Sequence, residues 1–274
     1  MKKIINKLGV VLLAGFCMAS CSEEDFTTFA GNKSGIYFQK VASTTLEGIP
    51  LEFSDSTAIS FSSLAPDKME YTVTVPVKIM GVVADHDRTF TMKIDESKTT
   101  AIRGDHFEFD ESKCVMPANK TSVNVPVVLK RHKDLETKMV RIEFILEDNQ
   151  DFTVELESYK NTPAWNATGA QLCGSRFKII YSDTYTVTDW WDIYGTTYYG
   201  TWSASKEKRV NAIMDWTHYD WENWRVPPGQ MGYAAKLLKK ELQALADAGT
   251  PVVDDDGKYM QLPAPYSVDY SAYE

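Results

Sequence analysis

Hydrophobic and polar residues alternate in several short segments between residues 35 and 182. In YTVTVPVKIMG every second residue from Tyr71 to Ile79 is apolar, and the same period of two recurs in TFTMKI, TSVNVPVVL and VRIEFIL. This period places one face of each strand in a core and the other in water. The pattern predicts an antiparallel β-sandwich over residues 35–182, which begins at GIYF and ends at FKIIYSD.

Pro76 and Pro126 interrupt two of these strand patterns. Proline has no backbone N–H to donate to a sheet ladder, so it is confined to edge strands and bulges. We therefore expect each of the two strands to be an edge strand, or to be bulged at its proline.

The composition changes after residue 182. Six of the seven tryptophans lie between Trp190 and Trp224. Trp190, Trp191 and Trp202 stand in strand-like segments, whereas the later tryptophans lie in a polar, loop-like segment that ends at PPG. Residues 183–274 are therefore predicted to form a smaller, aromatic-rich α+β C-terminal module, so that the fold class is mainly β.

One helix is predicted in this module, in the segment GYAAKLLKKELQALADAG. Its apolar stripe repeats every three to four residues and consists of Tyr233, Leu237, Leu238, Leu242 and Leu245, with Glu241 as the polar interruption. Gly249 and Pro251 provide a stop signal after the helix. The later segment VVDDDGKYM predicts a hairpin with Asp256 and Gly257 at its turn.

The first 34 residues have a different character. Residues 1–20 combine early lysines with an apolar run too short to span a membrane, which predicts a signal peptide. The segment MASC resembles a bacterial lipoprotein box, in which the thiol of Cys21 receives acyl chains such as palmitate. Residues 21–34 would then be a lipidated acidic tether. The alternative is an ordinary signal peptide in which Cys21 has no special role.

Charge and cysteine content restrict the partners. Acidic residues outnumber basic ones by 38 to 29, and the net charge is −9. This balance argues against nucleic acid as a partner and against a basic membrane-binding face. Cys114 and Cys173 are the cysteines of the expected folded part. In an oxidising envelope they either pair as a disulfide or remain two isolated buried thiols.

The sequence contains no recognisable catalytic motif. The four histidines follow no zinc-protease spacing and accompany no Gly-x-Ser-x-Gly nucleophile motif. Three acids among the tryptophans, Asp215, Asp220 and Glu222, are candidates for the carboxylate pair of a glycosidase. Solvated surface acids are the simpler interpretation. We therefore predict no enzyme and no cofactor.

Three segments resemble the Calx-β type of sandwich: DRTFTMKI, TTAIRGDHFEF and MPANKTSVNVPVVLKR. The step Gly104-Asp105-His106-Phe107 matches that family's Gly-x-Asp-Tyr element, with His106 and Phe107 as departures. The resemblance implies a Calx-β or immunoglobulin-like sandwich for residues 35–182. Some Calx-β relatives also bind calcium through clustered acids.

The order of motifs along nearly the whole mature chain is similar to a family of Bacteroidota surface lipoproteins that carry a domain of unknown function. The motifs are the lipoprotein box, GIYF, GDHFEF, FKIIYSD, WWDIYGTTYYGTWSASK and DDDGKYM. Members of that family are encoded beside a TonB-dependent outer-membrane transporter and its lipoprotein lid. The resemblance implies a lipid-anchored outer-membrane protein facing the cell exterior, with an accessory role in glycan or peptide uptake. The acids after Cys21 are similar to the surface-export signal of such lipoproteins, or they simply solvate the tether.

Metal binding is not expected. The run Asp254-Asp255-Asp256-Gly257 lacks the alternating ligand spacing and the closing glutamate of a calcium loop, so a tight turn is the better interpretation. Asp85, Asp87 and Asp105 are the acids that a Calx-β-like calcium site would use, although Asp105 fits a turn as well.

The aromatic cluster provides the candidate contact residues. Tryptophan and tyrosine interleaved with polar residues suit stacking on sugar rings, and they equally suit protein interfaces. Core packing is the third interpretation, and we expect the cluster to divide between core and surface. The expected ligand or partner contacts are Trp191, Trp216, Trp221 and Trp224. The protein would then dock on a transporter and its lid or capture glycan, with a secreted hydrolase as the poorer alternative.

Overall fold

The computed structural model describes residues 33–163 and 169–273. The expected signal peptide, the lipidation site Cys21 and most of the tether lie outside these residues. The described strands are β1 Ser34–Phe38, β2 Lys40–Thr44, β3 Pro50–Ser54, β4 Ser56–Ser60, β5 Glu70–Met80, β6 Arg88–Thr89, β7 Thr91–Ile94, β8 Phe107–Phe109, β9 Val115–Met116, β10 Ser122–Lys130, β11 Val140–Glu147, β12 Phe152–Thr153, β13 Ser158–Lys160, β14 Gln171–Cys173 and β15 Arg176–Ser182. The chain is therefore sheet-rich up to residue 182, as the alternation predicts.

Two larger sheets organise these strands. One has five strands in the order β12-β1-β5-β10-β8, and the other has four in the order β4-β15-β11-β7. The remaining strands form the pairs β13–β14, β2–β3 and β6–β9. Most neighbours are antiparallel, but β1 pairs with β12 and β15 pairs with β4 in parallel. The prediction of a purely antiparallel arrangement is wrong for these two pairs.

One hydrophobic core joins residues from both larger sheets. Val75 and Val125 come from the five-stranded sheet, Ile142 and Phe177 come from the four-stranded sheet, and all four side chains are fully buried in the same cluster. The buried positions of β5 alternate from Val73 onward, as a strand with one buried face requires. The period of two in the sequence is thus the period of burial.

The prolines lie in interior strands, so the expectation of edge strands is wrong. Pro76 is in β5 and Pro126 is in β10, and each strand has a neighbour on both sides. The ladder between β1 and β5 ends at Val77, and the ladder between β8 and β10 ends at Val127. Each proline therefore stands one residue beyond the last pair of a short neighbouring strand. At that position no residue of the short strand is paired with the proline, so the missing backbone N–H costs no ladder hydrogen bond.

The C-terminal part is more helical than predicted. A π-helical turn, Trp191–Gly195, leads into α1 (Thr196–Tyr199), and α2 (Ala204–Met214), α3 (His218–Glu222) and α4 (Pro228–Asp247) follow. Three short 3₁₀ turns span Glu111–Lys113, Lys133–Glu136 and Ser271–Tyr273. The prediction of one helix is therefore wrong, and so are the strand-like assignments of the early tryptophans. A threonine and a serine begin helical turns there: Thr188 accepts from the backbone N–H of Trp191, and Ser203 caps α2.

The predicted long helix is confirmed as α4, although its buried face is rotated. Its buried residues are Met231, Ala234, Ala235, Leu238, Leu242 and Ala246. Tyr233, which the predicted stripe includes, is 61% exposed. Alanines at the contact face allow close packing, so the larger side chains of the sequence pattern do not mark the whole buried face. Gly249 follows the helix with φ +81°, as a stop signal requires.

The tight turn predicted in VVDDDGKYM is also confirmed. Val253 and Tyr259 form an antiparallel bridge, and Gly257 has φ +81°. The buried apolar residues from Trp190 to Tyr270 form a hydrophobic cluster of their own. No described helix is both long enough and apolar enough to cross a membrane.

The two cysteines of the described part are free thiols, so the disulfide alternative is wrong. Cys114 follows the first 3₁₀ turn and is buried in the core of the sheets. Burial raises the pKa of its thiol to about 12, which keeps it protonated and unreactive. Cys173 is half-buried at the end of β14, where its sulfur lies 3.4 Å from the Ser175 hydroxyl.

Candidate functional site: the aromatic surface at Trp224

Two of the four predicted contact tryptophans are core residues. Trp191 and Trp221 are fully buried, and their ring centres lie 4.9 Å apart. The indole N–H of Trp191 donates to the carbonyl of Gly200, and that of Trp221 donates to the Asn211 side chain. Both indole N–H groups therefore have their hydrogen-bond acceptors inside the protein. The prediction that Trp191 and Trp221 contact a ligand or partner is wrong, because neither side chain reaches the surface.

Trp216 is intermediate between core and surface. Its ring packs edge-on against Trp221 with 5.8 Å between the centres, and the side chain is partly buried against the C-terminal cluster. It lies just after Asp215, which adopts the left-handed conformation that ends α2. Trp216 therefore contributes mainly to packing, and its contact with a partner stays a prediction.

Trp224 is the predicted contact residue that lies open to solvent, with 56% of its surface exposed. Its ring centre is 4.7 Å from that of Trp190, which in turn lies 4.4 Å from Tyr194. Ile193 is also exposed in this segment. The exposed residues Ile193, Tyr194 and Trp224, together with the buried Trp190 ring that Tyr194 and Trp224 both contact, are called the Trp224 platform below. Sequence reasoning found Trp224 but missed Tyr194 and Ile193.

The backbone at Trp224 is strained. Its φ is +58°, and the other non-glycine residues of the described part with positive φ are Asn119 and Asp215. Asparagine and aspartate tolerate this region, whereas a bulky residue there is an outlier. Such strain persists only where the surroundings enforce it, and it is common at functional sites. Here the N–H groups of Trp224 and Arg225 donate to the carbonyls of Trp221 and Asp220 at 3.3 Å and 2.8 Å, the two bonds that end a helix with one left-handed residue.

The acids near the tryptophans have structural partners. Both the backbone N–H and the hydroxyl of Thr217 donate to the Asp220 carboxylate, which completes a capping box at the start of α3. Glu222 lies 3.5 Å from Nε2 of His218, at a separation that counts as an ion pair but without hydrogen-bond geometry. Asp220 is therefore engaged in a helix cap rather than free to serve in the carboxylate pair of a glycosidase.

A buried polar network lies within the same half of the chain. Glu207 is fully buried. One of its carboxylate oxygens lies 2.7 Å from Nδ1 of His218, and the other accepts a hydrogen bond of 2.7 Å from the indole N–H of Trp202. The His218 ring stacks on Tyr185 with 4.3 Å between centres. Glu207 therefore fixes the orientation of Trp202, which lines a polar pocket together with the Asp254–Asp256 turn.

One group in the described residues has the spacing of a metal site: His106, His132 and Asp134. The hydrogen bonds argue against that role. Nδ1 of His106 accepts from the backbone N–H of Ile102, so Nε2 carries the proton and donates to Asp134 at 3.0 Å. A metal-binding histidine instead donates from the nitrogen that the metal leaves free. A salt bridge from Lys138, with smaller contributions from the two histidines, lowers the pKa of Asp134.

The suggested calcium acids do not assemble in the structure. Asp85 pairs with its neighbour His86, and Asp87 accepts from the backbone N–H of Ala118 at 2.8 Å. Asp105 is exposed in the turn before β8. None of the three belongs to a potential metal group within the described residues.

Comparison with protein families gives one match. A family model described as Domain of unknown function (DUF4843) matches residues 31–215, which is more than half of the chain. The matched segment spans the strands described above and continues through α2. A search of curated proteins finds no match. On the extent of the family match, the chain belongs to the DUF4843 family.

Proposed function

We propose that this protein is a non-catalytic accessory subunit of a nutrient-uptake complex and that it docks on its partner through the Trp224 platform. The exposed aromatic side chain of Trp224 carries the proposal. Contiguous exposed aromatic residues mark interaction surfaces, and tryptophan and tyrosine are enriched at the centres of interfaces.

The partner in this proposal is a TonB-dependent outer-membrane transporter with its lipoprotein lid. The order of motifs shared with Bacteroidota surface lipoproteins supports this choice, and so does the acidic segment after Cys21. Acyl chains on Cys21 anchor the protein in the outer membrane, facing the exterior. Residues 35–182 form a Calx-β-like sandwich that acts as a stalk. The core shared by the two larger sheets is consistent with that interpretation.

The proposal includes no catalysis. Among the acids near the tryptophans, Asp220 caps a helix and Glu222 lies beside His218. The buried Glu207 and His218 pair is closed to substrate, because both side chains are almost completely buried.

Glycan capture through the same platform is the second candidate function. The exposed ring of Trp224 favours it, since an exposed aromatic face is the surface on which a sugar ring packs. The two candidates predict different bound molecules for one surface, so a single variant tests both.

The test is co-purification of the tagged full-length protein from detergent-solubilised outer membrane, followed by mass spectrometry. We expect a transporter and its lid in near-equal amounts with the wild type. Trp224→Gly should lose them, because glycine keeps the backbone conformation and removes the ring. Tyr233→Ala is the matched control, since Tyr233 is equally exposed but lies on α4 outside the platform. Recovery of the wild type alone would refute the docking role.

The lipid anchor has a separate test. Cys21→Ser should move the protein from the membrane fraction to the soluble fraction, whereas Cys173→Ser should leave it in the membrane. If Cys21→Ser stays membrane-bound, the anchor is not at this residue.

A further inference from the structure

A cavity of about 420 Å³ lies between the N-terminus of α2 and the turn at Asp254–Asp256. Binding pockets for small ligands range from about 300 to 1,000 Å³, so this one fits one or two sugar rings. Its walls include Trp202, Lys206, Asp254 and Tyr259. None of the residues of the Trp224 platform lines it.

The polar side of the cavity is built from buried groups. Lys206 is almost completely buried, and its amine donates to the carbonyl of Thr201 at 2.9 Å and lies 3.2 Å from Asp254. Asp254 also accepts from the hydroxyl of Ser203, which is itself buried. These contacts hold an ammonium group and a carboxylate side by side at fixed positions before any ligand binds.

The aromatic side is equally fixed. The indole N–H of Trp202 donates to the buried carboxylate of Glu207 at 2.7 Å. The ring of Tyr259 stacks on Tyr270 with 5.1 Å between centres, yet Tyr259 remains 38% exposed. Two aromatic side chains thus flank the polar groups, and neither needs to be reoriented to receive a ligand.

The charges of the cavity select a neutral ligand. Asp254, Asp255 and Asp256 line it together with Lys206 and Lys258, so carboxylates outnumber ammonium groups by three to two and an anionic ligand is disfavoured. The amine of Lys206 occupies the place beside Asp254 that a metal ion or a ligand ammonium would take. Ser205 donates from its hydroxyl and its backbone N–H to Asp255, which lowers the pKa of that carboxyl and keeps it an acceptor.

We propose that this cavity is a binding site for a neutral saccharide. The C–H face of a sugar ring packs on Tyr259 or Trp202, and its hydroxyl groups donate to the aspartates and accept from Lys206. The cavity is distinct from the Trp224 platform, so the proposal holds whether or not the platform docks on a transporter.

Isothermal titration calorimetry on the full-length protein in detergent tests the proposal. The probes are neutral oligosaccharides of glucose, mannose, galactose and xylose with four to six units. The comparison probes are oligogalacturonate, a neutral tetrapeptide and Ca²⁺. We expect at least one neutral oligosaccharide to bind and the comparison probes not to bind.

Three variants locate the site. Tyr259→Ala should weaken binding at least tenfold, Tyr259→Phe should keep it because the ring remains, and Tyr233→Ala, at an exposed position outside the cavity, should leave it unchanged. Tyr259 is partly exposed, so truncating it leaves the fold intact, and circular dichroism verifies this. Failure of every neutral oligosaccharide to bind would overturn the proposal. So would exclusive binding of a charged or peptide probe, and so would equal binding by wild type and Tyr259→Ala. Loss of binding in Trp224→Gly, with binding kept in Tyr259→Ala, would assign glycan capture to the platform.

Discussion

The hydroxyl of Tyr181 donates a hydrogen bond to the backbone carbonyl of His106, with 2.9 Å between the two oxygens. Tyr181 belongs to β15 in the four-stranded sheet, and His106 lies in the turn before β8 of the five-stranded sheet. Both side chains are buried. The bond therefore joins the two sheets at a point where His106 already holds its own turn through Ile102.

Tyr181→Phe should lower the free energy of unfolding by about 1 kcal/mol, the usual net value of one buried hydrogen bond. The loss stays small because the same carbonyl also accepts from the backbone N–H of Lys130 at 2.7 Å, so it is not left unpaired. Urea denaturation followed by circular dichroism measures the change. Tyr71→Phe is the control, since Tyr71 is exposed and should show no loss. Equal values for the two variants would contradict this role of the Tyr181 hydroxyl.

The strands of this protein could be predicted from the sequence because their burial is regular. The alternation of apolar and polar residues around Val75 and Val125 predicts one buried face for each strand, and both valines are buried in the structure. Sheet order could not be predicted in the same way. Pro76 and Pro126 indicate only that a donor is unnecessary, and a short neighbouring strand meets that condition inside a sheet as well as an edge does.

The tryptophans show why burial of single side chains is harder to predict. Trp221 and Trp224 are three residues apart in a polar segment, yet one is buried and the other is exposed. A capping box, Thr217 with Asp220, was visible in the sequence and would have predicted a helix start. The helix places Trp221 on the core side. The positive φ of Trp224 comes from the way α3 ends, because the N–H groups of Trp224 and Arg225 donate to the carbonyls of Trp221 and Asp220. Glycine usually occupies such a position, so a tryptophan there gives no sequence signal for it.

The strain at Trp224 predicts an unusual order of stability between two variants. Trp224→Gly and Trp224→Ala both remove the ring, but only glycine adopts φ +58° freely. The glycine variant should be more stable by about 1 kcal/mol, because a left-handed alanine is strained by roughly that amount. Thermal or urea unfolding of the two variants gives the difference directly.

The matched pair for this comparison is Tyr233→Gly and Tyr233→Ala. Tyr233 lies inside α4, where alanine should be the more stable variant by about 1 kcal/mol. The sign of the difference should therefore reverse between the two positions. If alanine is more stable at both, the backbone at Trp224 is not strained.

Asp95 should make stability depend on acid pH. The hydroxyl of Ser97 and the guanidinium of Arg176 each lie 2.6 Å from its carboxylate. Bonds from Ser97 first, and then from Arg176, lower its pKa from 3.8 to about 2. A lowered pKa in the folded state contributes stability that is fully present above the unfolded value and is lost as pH falls toward the folded value.

The stability difference between the wild type and Asp95→Asn should therefore be constant at neutral pH and shrink between about pH 4 and pH 2. Urea unfolding at a series of pH values measures it. A difference for Asp95→Asn that remains unchanged down to pH 2 would mean that its carboxylate is not held by these partners.

Glu207 and Glu241 are glutamates on the two packed helices α2 and α4, and they should respond differently to the same substitution. Glu207 is buried, and one oxygen lies 2.7 Å from Nδ1 of His218 while the other accepts from Trp202. Glu241 is partly exposed and pairs with Arg209. The amide of Glu207→Gln replaces two charged acceptor oxygens by one neutral oxygen and an NH₂ group, so the bonds to the indole and to Nδ1 both remain only if the imidazole moves its proton to Nε2.

Glu207→Gln should therefore cost about 2 kcal/mol, the usual value of a hydrogen bond to a charged group. Glu241→Gln should cost less than about 1 kcal/mol, because exposed ion pairs contribute little. The free energy of unfolding in urea tests both.

The position of Trp202 on the wall of the saccharide cavity adds a second measurement: Glu207→Gln should also weaken binding of the oligosaccharide, whereas Glu241→Gln should not. Equal stability losses for the two variants would mean that the buried network does not hold the C-terminal core together.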